Sequence, residues 1–303
     1  MLNDSVLVSL PIKISEASGH KELVSLLVNW STCSTDQLGY DPAMRHVTVN
    51  TSSRSTGGGM GDGNRTDVDA IRCEIDCFDD ETDETRSYIT RQTIISADNI
   101  FGRHTRCFVA VPVRDDNKTA TDHLGEVVIK DAWPPTEHAV LDDPRSEIQF
   151  LRTIRDTYEK CPPKDFIYPK LVVGGHVRLD SDNVHESVDT TDGVFKLTGV
   201  ERADLPPGMD RSPSWQHQLL CAHRRIVMSP VGHSIKTIKN EEELIIVLAE
   251  AMRCHSSLVN DCGILHRDIS TNNILVVRDN GDSSATLHGL LIDFDFAIKI
   301  GQK

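Results

Sequence analysis

Gly263-Ile264-Leu265-His266-Arg267-Asp268-Ile269-Ser270-Thr271-Asn272-Asn273-Ile274-Leu275-Val276-Val277, with Leu290-Leu291-Ile292-Asp293-Phe294-Asp295 further on, decides how the rest of the chain is read. Two carboxylates, Asp268 and Asp293, and a carboxamide, Asn273, stand at the ends of short apolar runs. Such a set can hold a substrate hydroxyl and a hard cation, as phosphoryl transfer requires. Asp268 is the candidate base that would orient the attacking hydroxyl and accept its proton. Asn273 would bring a neutral oxygen to a magnesium ion and Asp293 a charged one, enough when phosphates and waters complete the shell. Ile274 to Val277 and Leu290 to Ile292 flank the turn-like Asp279-Asn280-Gly281-Asp282. The two runs can pair as a hairpin that draws Asn273 and Asp293 together, although they are twenty positions apart.

The bulk composition is that of a globular chain. Its 303 residues can hold one large domain or two of ordinary size, and 38% hydrophobic residues suffice for a core. A net charge of -14 argues against a general binder of nucleic acid or of an anionic membrane. Met1 to Ser18 has an apolar run broken by Asp4 and Lys13 and lacks the basic start of a signal peptide. No later stretch offers the roughly 18 uninterrupted apolar residues of a membrane helix. Eight cysteines are scattered without zinc-site spacing; Cys73 and Cys77 share a strand face, and Cys254 and Cys262 lie near His255 and His266. Reduced thiols in an intracellular protein, cytoplasmic or nuclear, are the expectation.

Three regions follow along the chain. Over 1–66, Leu23, Val24, Leu27, Val28 and Trp30 recur at helical spacing, which predicts a packed helix from Glu16 to Trp30. Thr51 to Arg65, centred on Gly57-Gly58-Gly59-Met60-Gly61-Asp62-Gly63, reads as a flexible linker, because no strand precedes it and no Gly-Lys-Ser/Thr ends it. Over 67–228 the period changes to two. Ile71, Cys73, Ile75 and Cys77 alternate with polar residues, and Ser87–Ile95, Arg106–Val113 and Gly125–Lys130 continue an antiparallel meander. Polar loops are expected at Asp79–Glu84 and Arg114–Thr121, and a long turn-rich insertion at 174–214.

Asp142-Asp143-Pro144 predicts the cap and first position of a helix running to Tyr158. Phe150, Leu151, Ile154 and Tyr158 form its apolar stripe, with Glu147 in the middle. A carboxylate buried there needs a partner, and Lys130 at the end of the last meander strand is the nearest logical one. His223 to Met228 is a further strand, left through the tight connection Ser229-Pro230-Val231-Gly232. Over 229–303, Asn240 and Glu243 suggest a capping box. The helix behind it carries Leu244, Val247, Leu248, Ala251, His255 and Leu258 on one face and stops at Gly263.

Asp268 and Asn273 with four residues between them, after His266-Arg267, have the spacing of the protein-kinase catalytic loop, and Asp293-Phe294-Asp295 stands where that superfamily carries Asp-Phe-Gly. Together with Asp79-Asp80-Glu81-Thr82, Phe101-Gly102-Arg103 and Val127-Val128-Ile129-Lys130-Asp131-Ala132-Trp133, these stretches resemble the fungal-type protein kinases from about residue 20 to the end. The resemblance implies an α+β protein-kinase-like fold: an antiparallel small lobe with one helix against it, and a helical large lobe. It implies ATP and magnesium as cofactors, and transfer to Ser or Thr hydroxyls of a protein substrate. Lys130 would contact the α- and β-phosphates and pair with Glu147. Asn273 and Asp293 would hold magnesium, Met228 and Val231 would lie in the adenine hinge, and Phe294 would pack beneath the Glu147 helix.

Three departures qualify the resemblance. Gly102, followed by Arg103 and His104, is the one glycine left of the phosphate loop; Ser270 replaces the lysine that steadies the transferred phosphate; Asp295 replaces glycine and adds charge beside Asp293. The sequence ends eight residues past Asp295, so the large lobe is expected to be incomplete, with an apolar helix face left for a partner to cover. A scaffold without turnover, serving interactions, is therefore a second reading. A small-molecule kinase of the aminoglycoside-kinase type, which shares the base and metal residues, is a third.

Overall fold

The computed structural model describes residues 15–32, 41–47, 72–96, 105–113, 125–134, 143, 145–179, 187–190, 221–278 and 286–301. The expectations for the linker at 51–65, for Gly102, for the loop at 114–121 and for the turn at 279–282 fall outside these residues.

One seven-stranded antiparallel sheet dominates. It comprises β1 (Met44–Val47), β2 (Arg72–Asp79), β3 (Glu84–Ser96), β4 (Arg106–Pro112), β5 (Val127–Ala132), β6 (Lys170–His176) and, after the short pair β7 (Arg178–Leu179) and β8 (Ser187–Val188), β9 (Arg224–Ser229). Their order is β1-β2-β3-β4-β5-β9-β6. Strict alternation in β2 buries Cys73, Ile75 and Cys77 on one face, the period-two pattern of a half-covered strand. The sheet curls until its ends approach: the Asp80 N–H donates to the Gly174 carbonyl at 3.3 Å, and Arg225 Nη1 donates to the Asp76 carbonyl at 2.9 Å. Gly174 and Gly175 therefore close β6 and do not open the insertion expected at 174–214. They read as turn formers but serve close packing, since a Cβ on Gly175 would lie 2.3 Å from the Phe78 carbonyl oxygen.

Three helices complete the described chain. α1 (Ala17–Thr32) forms where the periodicity places it, but Val24, Leu27 and Val28 are exposed, so its expected packing has no counterpart among the described residues. α2 (Glu147–Lys160) buries Glu147, Phe150, Leu151, Ile154 and Tyr158. Its cap is Ser146, whose hydroxyl accepts from Gln149 N, not the expected Asp142-Asp143-Pro144. Asp143 instead accepts from the Arg145 N–H at 2.9 Å and tightens the turn one step earlier.

β9 leads through 230–232 to β10 (His233–Ser234) and a 3-10 turn (Ile235–Thr237). α3 (Glu241–Cys262) starts at Asn240, which accepts from Glu243 N at 2.9 Å, and ends at Gly263 in the left-handed region (φ 64). Its buried stripe is Val247, Ala251, Cys254, Leu258 and Cys262. Leu244 and Leu248, expected inside, are exposed, and Ile245 and Met252 more so. The helix is rotated because β13 (Leu287–Leu291) lies directly on its backbone: a Cβ on Gly289 would sit 2.0 Å from the Val247 carbonyl oxygen. β13 pairs with β12 (Ile274–Arg278) in the expected hairpin, and β12 with β10; β11 (Ile264–Leu265) pairs with β14 (Ile298–Lys299). No described helix is long and apolar enough to cross a membrane.

Behind β5, on the face opposite Lys130, lies a buried ionic network. Asp131 accepts from His223 Nε2 at 2.6 Å, Arg225 Nε at 3.2 Å and Arg106 Nη2 at 2.8 Å. Arg225 also binds Asp41, tying the residues before β1 to the sheet. His223 reaches Asp189 at 3.0 Å and stacks on Trp133 at 4.3 Å. Burial opposes charging of His223, but Asp131 and then Asp189 raise its pKa to about 9.

Gly289→Ala should destabilise the fold by about 1–3 kcal/mol in chemical denaturation, through forced separation of β13 from α3. For His223 the folded pKa of about 9 lies above the ordinary 6.5, so its stabilisation is complete below about pH 6.5 and disappears as pH rises through 9. Stability curves of the wild type against His223→Gln should converge across that window; parallel curves would show that His223 is neutral in the folded protein.

Candidate active site

Three segments far apart in sequence meet at one ammonium. β5 carries Lys130 inward, α2 begins with Glu147, and the strand-to-loop step after β13 presents Asp293, Phe294 and Asp295. Lys130 Nζ donates to Glu147 Oε2 at 2.7 Å, Asp293 Oδ1 at 2.8 Å and Asp295 Oδ2 at 3.2 Å. An ammonium has three protons, and all three are directed at carboxylates. The other Glu147 oxygen accepts from the Phe294 N–H at 3.1 Å, which fixes the ring beneath α2; Phe294 is fully buried.

The charges are unequal. Burial disfavours a charged Lys130, yet Glu147, Asp295 and Asp293 hold its pKa well above the ordinary value. Burial pushes the Glu147 carboxyl up to about 7 against the pull of Lys130, and the Asp295 and Asp293 charges add to the rise. One cation serves three carboxyl groups, so the site carries surplus negative charge even when Glu147 holds a proton. Oxygens of Glu147, Asp293 and Asp295 lie within 4.8 Å of one another, close enough to share a cation.

The catalytic-loop residues sit beside this cluster. Asn273 Nδ2 donates to the Asp268 carbonyl at 2.9 Å and to its Oδ2 at 3.0 Å, so the carboxamide orients the candidate base and leaves its own Oδ1 available as a cation ligand. His266 Nε2 donates to the Ile292 carbonyl at 2.9 Å, and its Nδ1 accepts the Asp268 N–H at 3.3 Å. This pattern requires the neutral ring, and burial lowers the His266 pKa accordingly. The same ring lies 4.9 Å from Phe294, so one histidine joins the loop to the step after β13. The Ile292 N–H donates to the Asn273 carbonyl at 2.9 Å, completing the hairpin's end. Arg267 (φ 68) and Asp293 (φ 69) occupy the left-handed region. Non-glycine residues there carry strain of about 1–3 kcal/mol, and surrounding bonds must hold them in place.

Lys130, Glu147, Asp268, Asn273 and Asp293 are thus brought to one region. Met228 and Val231 are half-buried at and just beyond the end of β9, where Gly232 lies close against Leu275. Asp295, read from sequence as a charge beside Asp293, also binds Lys130. Arg224 went unnoticed: it lines the small cleft that Lys130, Glu147 and Asp295 also line. Its signal was the pair Arg224-Arg225 directly before the apolar run 226–228. The second buried group able to converge on a cation, Asp41, Asp131 and His223, already has the Arg225 guanidinium among it.

The family model described as fungal protein kinase matches residues 5–303. No curated protein matches the chain. Similar solved structures include the Rio2 kinase–ADP/Mg2+–phosphoaspartate complex from Chaetomium thermophilum, 13% identical with a TM-score of 0.34, where the match covers 70% of this chain and 50% of that one. Another is WbdD co-crystallised with a kinase inhibitor, 16% identical with a TM-score of 0.30, covering 94% of this chain and 53% of that one. The chain spans about half the length of each. By the match over nearly its whole length, this α+β, protein-kinase-like chain belongs to the fungal protein kinase family.

Proposed function

We propose that the protein is an ATP- and magnesium-dependent phosphotransferase acting on Ser or Thr hydroxyls of a protein substrate. The observation that carries this reading is the Lys130 ammonium held between Glu147 of α2 and Asp293 of the hairpin, with the Asp268–Asn273 pair alongside. Lys130 would exchange its longest carboxylate bond for oxygens of the α- and β-phosphates, while Glu147 keeps the ammonium in place. Adenine would lie against the connection at Met228 and Val231, and Gly102 would allow the backbone to approach the phosphates. Asp268, oriented by Asn273, would take the proton of the attacking hydroxyl onto its carboxylate. The surplus of carboxylates suits a divalent cation: magnesium would be held by Asp293 and Asn273 and, when bound, supplies neutralisation of phosphate charge. An intracellular location fits the seven described cysteines, all free thiols.

A scaffold that no longer turns over is the second reading. It is favoured by Asp295, which occupies a third Lys130 proton that phosphate would otherwise take.

Calorimetry with ATP should show binding that requires magnesium and that Lys130→Met or Asp293→Ala abolishes; a folded protein that binds no nucleotide refutes the proposal. In a form of the protein that transfers phosphate, Asp268→Asn should slow transfer by about 10²–10⁴-fold while ATP affinity stays nearly unchanged. Transfer at the wild-type rate would remove Asp268 from the role of base.

A further inference from the structure

The cleft beside Lys130 contains a second cation. Arg224 on β9 lies opposite Ala132, two positions along from the Lys130–Ile226 pairing, so the register puts it on the same sheet face as Lys130. It is buried, at 8% exposure, and lines the cleft together with Lys130, Glu147 and Asp295. Its orientation is set from behind. Arg224 Nε donates to His176 Nε2 at 3.2 Å, and His176 Nδ1 lies 2.7 Å from Asp80 Oδ2. Arginine can only donate, so Nε2 is the accepting nitrogen, and Nδ1 carries the proton and donates it to Asp80. The Asp80–His176 pair thus holds the guanidinium by one edge.

The two cations are unequally supplied with counter-charge. Lys130 holds three carboxylates, whereas no carboxylate among the described residues reaches Arg224 at ion-pair distance. Desolvation lowers the Arg224 pKa, and the charges of Asp143, Asp295, Asp80 and Glu147 oppose that shift without cancelling it. A buried guanidinium in that condition favours any carboxylate that can reach it. Asp295 shares its cleft, makes the longest of the three Lys130 contacts, and follows directly on the strained Asp293 and buried Phe294.

We propose that Arg224 is a positioning residue for the nucleotide site: it receives the Asp295 carboxylate when phosphates take its place on Lys130. The inference rests on the nucleotide reading of Lys130 given above. Asp295 is then a resident occupant of the phosphate position, and Arg224 is its alternative seat. The carboxylate then passes from one cation to another within the same cleft. The device also gives a role to the departure from glycine at 295 and to the Asp80–His176–Arg224 series.

The test pairs a measurement without nucleotide and one with it. Acylation of Lys130 by an amine-reactive ester, followed by mass spectrometry, reports how tightly the ammonium is held; calorimetry reports affinity for magnesium-ATP. Asp295→Asn should speed labelling and tighten nucleotide binding, each by about fivefold or more. Arg224→Gln should slow labelling and weaken binding by a similar factor, but in the Asp295→Asn background it should change either by less than about twofold. Arg224→Lys, which keeps the charge, should restore most of the wild-type behaviour. Equal effects of Arg224→Gln in both backgrounds would overturn the proposal, because Arg224 would then act without Asp295. If Arg224→Gln fails to melt cooperatively, Asp295→Asn decides alone: unchanged labelling and affinity overturn it. The predicted labelling pattern with no nucleotide bound by any variant would uphold the exchange and reject the nucleotide reading instead.

Discussion

A single buried ammonium, with three carboxylates around it, ties a strand of the main sheet, the start of α2 and the step after the β12–β13 hairpin to one another. Lys130 arrives on the middle of a β-sheet, Glu147 on the first turn of a helix, and Asp293 and Asp295 from beyond a hairpin more than a hundred residues later. Burying that charge is tolerable only while its partners are present, so each element depends on the others being in place. The same pairing orders smaller features. Glu147 anchors the Phe294 amide, Phe294 packs against His266, and His266 holds the Asp268 amide. Strain at Arg267 and Asp293 is sustained by this closed set of bonds.

The opposite face of β5 carries a second set of charges, and the contrast is instructive. Around Asp131 the ions are nearly matched: Arg106, His223 and Arg225 meet Asp131, Asp189 and Asp41. Such a network is suited to fixing structure, because its hydrogen-bonding positions are filled from within. Around Lys130 the balance is deliberately poor, with a surplus of carboxylates and a guanidinium nearby that holds none of them at ion-pair distance. An imbalance of that kind leaves room for an outside cation and for exchange of partners. One strand thus separates a matched ionic network from one with surplus carboxylates.

The parts of the fold that were legible in sequence share a short physical range. The β2 alternation, the Asn240 cap, the Gly263 stop and the β12–β13 hairpin each follow from a few neighbouring residues and their backbone preferences. Glu147 in the α2 stripe was legible for a related reason, since a carboxylate on an apolar face demands a partner. Misreadings arose where a residue type has two uses. Gly174 and Gly175 look like turn glycines but permit the sheet to curl onto β2, and Asp143 looks like a cap but stabilises the turn before Ser146. The α3 face was right at Val247, Ala251 and Leu258 and wrong at Leu244 and Leu248, because the close approach of Gly289 to the Val247 carbonyl centres the buried stripe to one side of them.

By itself, then, the sequence determined strands β2 to β5 and β9, helices α2 and α3 with the ends of α3, and the residue types and spacing of the Asp268, Asn273 and Asp293 set, because these depend on local conformation and on chemistry carried by single side chains. The Lys130–Glu147 pair was expected from the residues alone, but tertiary structure decided which further charges meet it. Lys130 and Asp295 are separated by most of the chain, and the placement of Arg224 beside them depends on strand register and on a histidine that links it to a turn at the far edge of the sheet. No local pattern encodes such a meeting: it emerges only when the sheet has curled, the hairpin has docked on α3, and desolvation has forced each buried ion to find its partner.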